Sequence, residues 1–220
     1  MEKKILVIAG ASGVGKTTVA TQLLSSFSEF GFVRSLTTRA PRGDGHDGEY
    51  IYVTREQFLK RAEDGEMVEY MEYGTNLYGT PVSELDRIFA EGKIPLLILD
   101  IEGVKSLRSK AFDFTPRIVY IWDDINTVER RLYDRDLAKE PSADKLLSFV
   151  RRKEMNIRDY LAMPDIYRFF DFFVKNDGVE KCAKEIMAFF EGSEVQNSSQ
   201  ITKNKRIADA LADMCKQSNA

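Results

Sequence analysis

The sequence is short of the residue types on which many familiar active sites depend. It has one histidine, His46, and two cysteines among 220 residues. A catalytic triad or a metal centre that relies on histidine is therefore nearly excluded. Cys182 and Cys215 stand far apart in the sequence and do not make a disulfide framework. Any chemistry must rest on lysine, arginine, carboxylates and backbone amides.

Long apolar runs are also missing. No run approaches the roughly 20 residues that a membrane helix needs. The first four residues lead into an apolar run of about five, which is too short for the core of a signal peptide. We therefore expect a cytoplasmic protein that does not bind membranes.

Neither sign of charge dominates. The 32 Lys and Arg residues oppose 35 Asp and Glu residues, so the net charge is −3. A general basic field is absent, which disfavours nucleic acid as a partner but leaves room for small local anion sites. With 43% apolar residues, the chain suits one domain with a sizeable core, or one domain with a small inserted subdomain.

Four short apolar runs end at glycine or at polar residues, as strands buried on both faces do. They span residues 5–9, 94–99, 118–122 and 172–174. A helix-compatible stretch, about residues 16–27, follows the first run. Strands that alternate with helical stretches predict an α/β fold, with a parallel sheet core and helices on both faces.

Other stretches of the chain differ from this core. Residues 34–80 contain turn residues and short alternating pieces, which predict a small, partly antiparallel insertion. Residues 125–168 are helical and rich in charge. The predicted divisions are a core of residues 1–33, 81–124 and 169–191, the insertion 34–80, the helical region 125–168, and a linker with a helical tail, 192–220. Whether the tail packs on the domain, mediates self-association or frays stays open.

Residues 10–17, GASGVGKT, match the phosphate-binding pattern G-x-x-x-x-G-K-[ST] in full. Its glycines let successive backbone N–H groups converge on a phosphate, and the following helix adds the positive end of its dipole. Lys16 can reach the β- and γ-phosphates, and the Thr17 hydroxyl can bind Mg²⁺. The alternative, an accidental glycine-rich turn, does not account for its place between a strand and a helix. We therefore predict a P-loop NTPase-like core. The predicted ATP-binding residues are Gly10, Ala11, Ser12, Gly13, Val14, Gly15, Lys16, Thr17 and Thr18.

Two arginines three positions apart, Arg39 and Arg42, lie in a loop that Pro41 stiffens. Two planar guanidinium groups suit one monophosphate dianion, although a solvated basic loop is the alternative. Tyr50 and Tyr78 could donate phenolic hydrogens to the same phosphate, or could be ordinary half-buried strand tyrosines.

Two carboxylates could complete such a site. Glu69 could accept hydrogen bonds from a base with adjacent N–H donors, which guanine has and adenine lacks, or it could be a surface carboxylate. Asp100 ends a predicted core strand, where ligands of parallel sheets gather. It could hold a water of the Mg²⁺ shell, or it could be a turn residue.

These motifs follow one another in the order and approximate spacing of the guanylate kinase family, which the chain resembles over about residues 4–190. The resemblance covers the P-loop, the acceptor series and the turn Tyr78-Gly79-Thr80. It implies that the GMP phosphate is held by Arg39, Arg42, Tyr50 and Tyr78. It also implies that guanine is read by Ser35, Glu69, Thr80 and Asp100. Asn176, at the end of the last predicted strand, would lie near the base or ribose of ATP.

The helical region 125–168 resembles the family's lid less closely. Arg131-Leu132-Tyr133-Asp134-Arg135 fits the family's Arg-Leu-x-x pattern, but its glycine-containing Arg-Gly-Thr-Glu-like stretch is missing here. From this pattern and the following helix we predict Arg135 and Arg151 as lid arginines, with Arg152 beside the second. A solvated helix face is the alternative for each. The segment that starts at Asp100 is also shorter than the family's usual form.

The sequence thus predicts an Mg²⁺-dependent guanylate kinase, which transfers the γ-phosphoryl group of ATP to GMP and also to dGMP. The predicted catalytic residues are Lys16, Arg42, Arg135 and Arg151, and the predicted metal ligands are Thr17 and, through water, Asp100. We expect ATP and GMP as its partners and a monomer or homodimer. Two alternatives are a P-loop kinase of another phosphorylated small molecule, such as a sugar, and a non-catalytic guanylate-kinase-like binding module.

Overall fold

The structure, a computed structural model, describes residues 2–41, 47–138, 141–192 and 198–218. In this part of the chain the strands are β1 (Lys4–Gly10), β2 (Phe30–Phe32), β3 (Ser35–Thr37), β4 (Tyr50–Tyr52), β5 (Met67–Tyr73), β6 (Asn76–Pro81), β7 (Ile94–Ile98), β8 (Thr115–Trp122) and β9 (Phe172–Lys175). The α-helices are α1 (Lys16–Ser26), α2 (Arg55–Glu63), α3 (Val82–Ala90), α4 (Ile101–Arg108), α5 (Ile125–Asp136), α6 (Ala143–Ile166), α7 (Val179–Glu191) and α8 (Ser198–Ser218). One sheet has the strand order β2-β7-β1-β8-β9, and the other has the order β4-β3-β6-β5. The predicted α/β fold is confirmed.

The chain divides into two compact units. The first consists of Met1–Val7 and Leu24–Pro116, and the second consists of Ile8–Leu23 and Arg117–Ala220.

The four-stranded sheet belongs to the first unit and has mixed strand directions. Strand β3 is parallel to β4 and antiparallel to β6, which in turn is antiparallel to β5. Apolar side chains from three strands and α2 form its small core, namely Leu36, Phe58, Met67 and Leu77. Helix α2 begins with a capping box between Thr54 and Gln57, which fixes its start against the sheet. The partly antiparallel character predicted for this stretch is confirmed.

The first unit also contains a strand that the sequence does not predict. Strand β2, Phe-Gly-Phe, runs parallel to β7 and pairs Phe30 with Ile94. Its three residues and central glycine carry too little apolar pattern to indicate a strand, and the backbone pairing with β7 provides what the local sequence does not.

The second unit contains the parallel strands β8 and β9 and a cluster of aromatic rings, two of which these strands carry. The rings of Tyr120, Phe170 and Phe173 pack with centroids 4.9 to 5.7 Å apart. Phe170 and Phe173 are 1% and 2% exposed. Part of the aromatic run before Lys175 therefore fills the core of this unit.

Helix α8 answers the question that the sequence leaves open about the tail. It lies against α6 and β9, and it buries Ala208, Leu211, Ala212 and Cys215. Asn204, also buried, donates to the carbonyl of Asp171 at 3.0 Å. The tail therefore packs on the second unit. Among the described residues, no helix combines the length and apolar character needed to cross a bilayer.

Candidate active site

The predicted phosphate cradle lies in the second unit, between the end of β1 and the start of α1. Gly10 has φ +152°, and a β-carbon there would stand 2.3 Å from the carbonyl oxygen of Ile121. Gly15 has φ +100°, and a β-carbon there would stand 2.6 Å from Nδ2 of Asn176. Since backbone or fixed atoms occupy both positions, only glycine fits this loop without displacing its surroundings.

Lys16 is the first residue of α1 and reaches back across the loop. Its Nζ donates to the carbonyl oxygens of Gly10 at 2.8 Å and Ala11 at 3.0 Å. Thr17 and Thr18 follow it in the first turn of the helix. The residues predicted to bind ATP therefore form one loop and the first turn of the helix, where backbone amides and the helix dipole favour an anion.

Asn176 lies directly after β9 and is 4% exposed. Its Nδ2 donates to the carbonyl oxygen of Val14 at 2.8 Å. The structure therefore puts this residue against the cradle itself, whereas the resemblance implies a position near the base or ribose of ATP.

An arginine that the sequence did not select also contacts the cradle. Arg131 of α5 pairs with Asp123 at 2.9 Å, and it donates to the carbonyl oxygens of Val14 at 3.4 Å and Asn176 at 3.5 Å. The Arg-Leu-x-x pattern begins at Arg131, but from the pattern alone the predicted lid arginine is Arg135, one turn later.

The two predicted lid arginines have different surroundings. Arg135 is exposed and forms a bidentate contact with Asp136, with distances of 2.7 and 3.1 Å. Arg151 lies exposed on α6, and Arg152 is 3.8 Å from Asp136. In the described part of the chain, the structure brings neither Arg135 nor Arg151 into hydrogen bonding with the cradle.

Asn156 also contacts the cradle, and no sequence pattern predicts this contact. Asn156 of α6 is 1% exposed, and its side-chain amide bonds to both the N–H and the carbonyl of Ser12 at 2.8 Å. The two residues are 144 positions apart, and no local pattern connects them.

The predicted acceptor residues lie in the first unit. Arg39 follows β3, and its guanidinium carbon lies 5.0 Å from the ring centre of Tyr50 and 5.9 Å from that of Tyr52. The rings of Tyr50 and Tyr78 meet edge to face at 6.3 Å. Ser35 pairs with Tyr50 in the register of β3 and β4. The structure thus brings Arg39, Tyr50 and Tyr78 together, while Arg42 lies outside the described residues.

Arg39 carries an unused hydrogen-bond donor. Its Nη1 is buried and has no partner among the described residues. Since leaving a buried charged donor unpaired is costly, this nitrogen suits an anionic ligand.

Glu69 of β5 and Thr80 of β6 form the buried part of the acceptor region. They are 4% and 1% exposed, and the Thr80 hydroxyl donates to Oε1 of Glu69 at 2.7 Å. Burial raises the pKa of Glu69 to about 7, the charge of Asp100 adds to this rise, and the Thr80 hydroxyl opposes it. Glu69 is therefore a buried carboxyl group with no arginine or lysine in ion-pair contact among the described residues.

Asp100 stands at the start of α4 and caps that helix. Its Oδ1 accepts from the N–H of Gly103 at 2.7 Å. A β-carbon on Gly103 would stand 3.1 Å from Oε2 of Glu69 and 3.3 Å from Oδ1 of Asp100. Both carboxylates therefore face the first turn of α4, at the position where the shortened segment carries glycine.

A salt-bridge cluster fixes the chain just before Ser35. Glu84 of α3 accepts from the Arg34 side chain at 2.7 Å, from the Arg34 N–H at 3.2 Å and from Arg87 at 3.1 Å. Burial alone would raise the pKa of Glu84, but the hydrogen bonds from the two arginines lower it to about 2. This cluster holds the entry to β3, which carries the first acceptor residue.

Comparisons with known proteins agree with one another. The sequence model of the guanylate kinase family matches residues 2–193. Among similar proteins, the guanylate kinase of Lactobacillus delbrueckii subsp. bulgaricus is 32% identical over 218 residues, which cover 97% of each chain. The guanylate kinase of Synechococcus sp. is 32% identical over 186 residues, covering 84% of this chain and 81% of the other.

A solved structure supports the fold. The crystal structure of guanylate kinase from Anaplasma phagocytophilum matches with a TM-score of 0.62 at 24% identity, covering 90% of this chain and 89% of that one. With the family match across most of the sequence, these findings identify the relationship. The chain belongs to the guanylate kinase family.

Proposed function

We propose that this chain is an ATP:GMP phosphotransferase, which forms ADP and GDP and also accepts dGMP. Family membership supports a nucleoside monophosphate kinase, and the complete cradle of residues 10–17 supports ATP as the phosphoryl donor. dGMP carries the same base and phosphate as GMP, so the same contacts can hold it.

The observation that carries the proposal is the buried pair of Glu69 and Thr80 in the same unit as Arg39. An ionised Glu69 can accept from N1–H and the exocyclic amine of guanine, a pair of donors that adenine lacks. The Thr80 and Ser35 hydroxyls and Asp100 complete the proposed base contacts. A site built to bond a substrate N–H discriminates strongly against analogues that lack it.

The proposed phosphate contacts of the acceptor are Arg39, Arg42, Tyr50 and Tyr78. Nη1 of Arg39, which has no partner among the described residues, is the donor that a GMP phosphate would satisfy. Residues 34–80 would form the GMP-binding insertion, and Asp100 would add a contact from outside it.

In the proposed reaction, a phosphate oxygen of GMP attacks the γ-phosphorus of ATP, and the bond to the β-phosphate oxygen of ADP breaks. No general base is needed, because the attacking oxygen is already anionic. Lys16 would stabilise charge on the transferring group. Arg42, Arg135 and Arg151 stay proposed catalytic residues, to which we add Arg131 because it already contacts the cradle.

The residues present fit Mg²⁺ brought in with ATP. The described residues contain no cluster of three or more His, Cys, Asp or Glu suited to a metal. Such a cluster is not needed, because Mg²⁺ at kinase sites takes most of its ligands from phosphate oxygens and water. We propose Thr17 as the protein ligand and Asp100 as the holder of a bound water. When bound, the ion offsets negative charge on the phosphates.

An acceptor screen tests this function. ADP release from ATP is measured with GMP, dGMP, AMP and sugar phosphates, with and without Mg²⁺. We expect turnover with GMP and dGMP alone, and only with Mg²⁺. Turnover with a sugar phosphate would favour another P-loop kinase, and nucleotide binding without turnover would favour a binding module.

A further inference from the structure

The contact between Asn156 and Ser12 fixes two successive peptide groups of the phosphate cradle. Oδ1 of Asn156 accepts from the N–H of Ser12, which belongs to the peptide after Ala11. Nδ2 donates to the carbonyl of Ser12, which belongs to the peptide before Gly13. Both distances are 2.8 Å, so the amide holds the two peptide planes on either side of Ser12 at once.

This part of the loop needs such a restraint. Gly13 has φ +87°, and glycine moves between left- and right-handed backbone conformations at little cost. A flip of the peptide before Gly13 would turn its carbonyl toward the phosphate side and place a negative dipole there. The bond from Nδ2 of Asn156 to the Ser12 carbonyl opposes that flip.

Helix α6 also bonds to the turn after β8, which holds Arg131 beside the cradle. Tyr160, one turn after Asn156, is fully buried, and its hydroxyl donates to the carbonyl of Asp123 at 2.9 Å. The Asp123 side chain in turn holds Arg131 at 2.9 Å. Helix α6 therefore bonds both to the loop that carries the phosphate amides and to the turn that orients the neighbouring arginine.

We propose that Asn156 is a positioning residue that holds the Ala11–Gly13 backbone in the shape that binds the phosphates of ATP. The proposal rests on the cradle being the ATP site of the proposed function. Asn156 touches no substrate in this role, because its amide is already committed to Ser12.

Two substitutions separate this role from a structural one. Asn156→Ala removes both hydrogen bonds. Asn156→Asp keeps the shape and the acceptor, but it places a carboxylate oxygen opposite the Ser12 carbonyl. Asn204→Ala is the matched control, because Asn204 is a similarly buried asparagine of the second unit, which bonds to the backbone of Phe170 and Asp171 at 3.4 and 3.0 Å.

The readouts are the KM for ATP, the KM for GMP, kcat, the Kd for ADP by calorimetry and the thermal midpoint, all on the full chain. We expect Asn156→Ala to raise the ATP KM and the ADP Kd about tenfold, with a GMP KM within about twofold of the unaltered protein. Asn156→Asp should weaken ADP further, and its ADP Kd should improve as the pH falls and the new carboxyl group gains a proton that Ser12 can accept. Asn204→Ala should lower the thermal midpoint and leave the ATP KM and ADP Kd unchanged.

Unchanged ATP KM and ADP Kd in folded Asn156→Ala would overturn the proposal, and so would an equal rise in Asn204→Ala, which would indicate general loosening. Should the alanine variant not fold, Asn156→Asp gives the same decision through its ADP Kd and its pH profile. An unaltered protein that binds ADP but does not phosphorylate GMP would contradict the proposed function alone, since the ADP Kd still reports on Asn156.

Discussion

The proposed donor site is built mainly from backbone groups, whereas the proposed acceptor site is built mainly from side chains. The donor cradle of the second unit depends on backbone amides and on glycines such as Gly10, where a β-carbon would stand 2.3 Å from a carbonyl oxygen. The acceptor site of the first unit depends on side chains, with Glu69, Thr80 and Arg39 carried by short strands and a loop. A phosphate can be bound by any suitably directed N–H group, whereas a base is distinguished only by the pattern of donors and acceptors that meets it.

The two sites are also supported differently. Side chains of Asn156, Asn176 and Arg131 bond to peptide groups of the cradle. The acceptor sheet instead has the charged cluster around Glu84 at the entry to β3. Substitutions in the donor site should therefore change the rate and the use of ATP, and substitutions in the acceptor site should change the choice of base.

Lys16→Ala gives the largest expected effect. Removing the ammonium group should lower kcat by about 1,000-fold or more, because its charge acts on the transferring phosphoryl group. The coupled ADP-release assay measures this loss, and circular dichroism checks the fold. Lys205→Ala, an exposed lysine of α8 paired with Asp209 at 3.0 Å, is the control. Substantial turnover by the Lys16 variant would contradict its catalytic role.

Glu69→Gln tests the acceptor side. The amide offers one acceptor and one donor where guanine presents two donors, so kcat/KM for GMP should fall about 100-fold with the ATP KM unchanged. The measurement is steady-state kinetics with each substrate varied. Glu72→Gln, on the same strand but exposed and paired with Arg55 at 3.0 Å, should behave as the unaltered protein. Equal losses in both variants would show that Glu69 does not read the base.

The pKa of Glu69, raised to about 7, predicts a pH dependence that the donor site does not share. The proposed guanine contacts need the ionised carboxylate, so GMP affinity should fall as the pH drops below 7, by about tenfold between pH 8 and pH 6. Calorimetric titration with GMP measures the change. Glu69→Gln should retain only the smaller dependence that comes from the GMP phosphate, which titrates near pH 6. A pH profile identical in the two proteins would contradict this assignment.

Glu84→Gln should give the smallest effect, on stability rather than on choice of substrate. The lowered pKa of Glu84 means that its charge stabilises the folded state above its ordinary pKa of 4.5, and this contribution is lost as the pH falls toward about 2. At pH 7 we expect the free energy of unfolding to fall by about 1–3 kcal/mol. Urea denaturation measures it. Glu91→Gln, whose exposed pair with Arg87 spans 2.8 Å, should cost less than about 0.5 kcal/mol. A raised GMP KM, measured under conditions where the Glu84→Gln variant is fully folded, would contradict this prediction and give Glu84 a role in the acceptor site.

The sequence predicts features that depend on residues close together in the chain. The apolar runs and the GASGVGKT motif define the core strands and the cradle, because a buried strand, a glycine turn and a helix start are each coded within a few residues. Arg39, Tyr50 and Tyr78 could be grouped from the family resemblance, and the structure brings them together.

The rest depends on contacts between distant residues. Nothing near Asn156 in the sequence marks it as a partner of Ser12, 144 positions away, and an asparagine on a charged helix looks like a solvated side chain. Arg131 opens the Arg-Leu-x-x pattern and Arg135 comes directly after it, and only the packing of α5 shows that Arg131 contacts Val14. Strand β2 lacks an apolar pattern that indicates a strand, and it forms because its backbone pairs with β7.

The most direct test of separate donor and acceptor sites is calorimetric titration of Lys16→Ala and Glu69→Gln, each with ADP and with GMP. The division of labour between the two units predicts that Lys16→Ala loses ADP affinity and keeps the GMP Kd within about twofold, while Glu69→Gln loses GMP and keeps ADP. Loss of both ligands in either folded variant would contradict it.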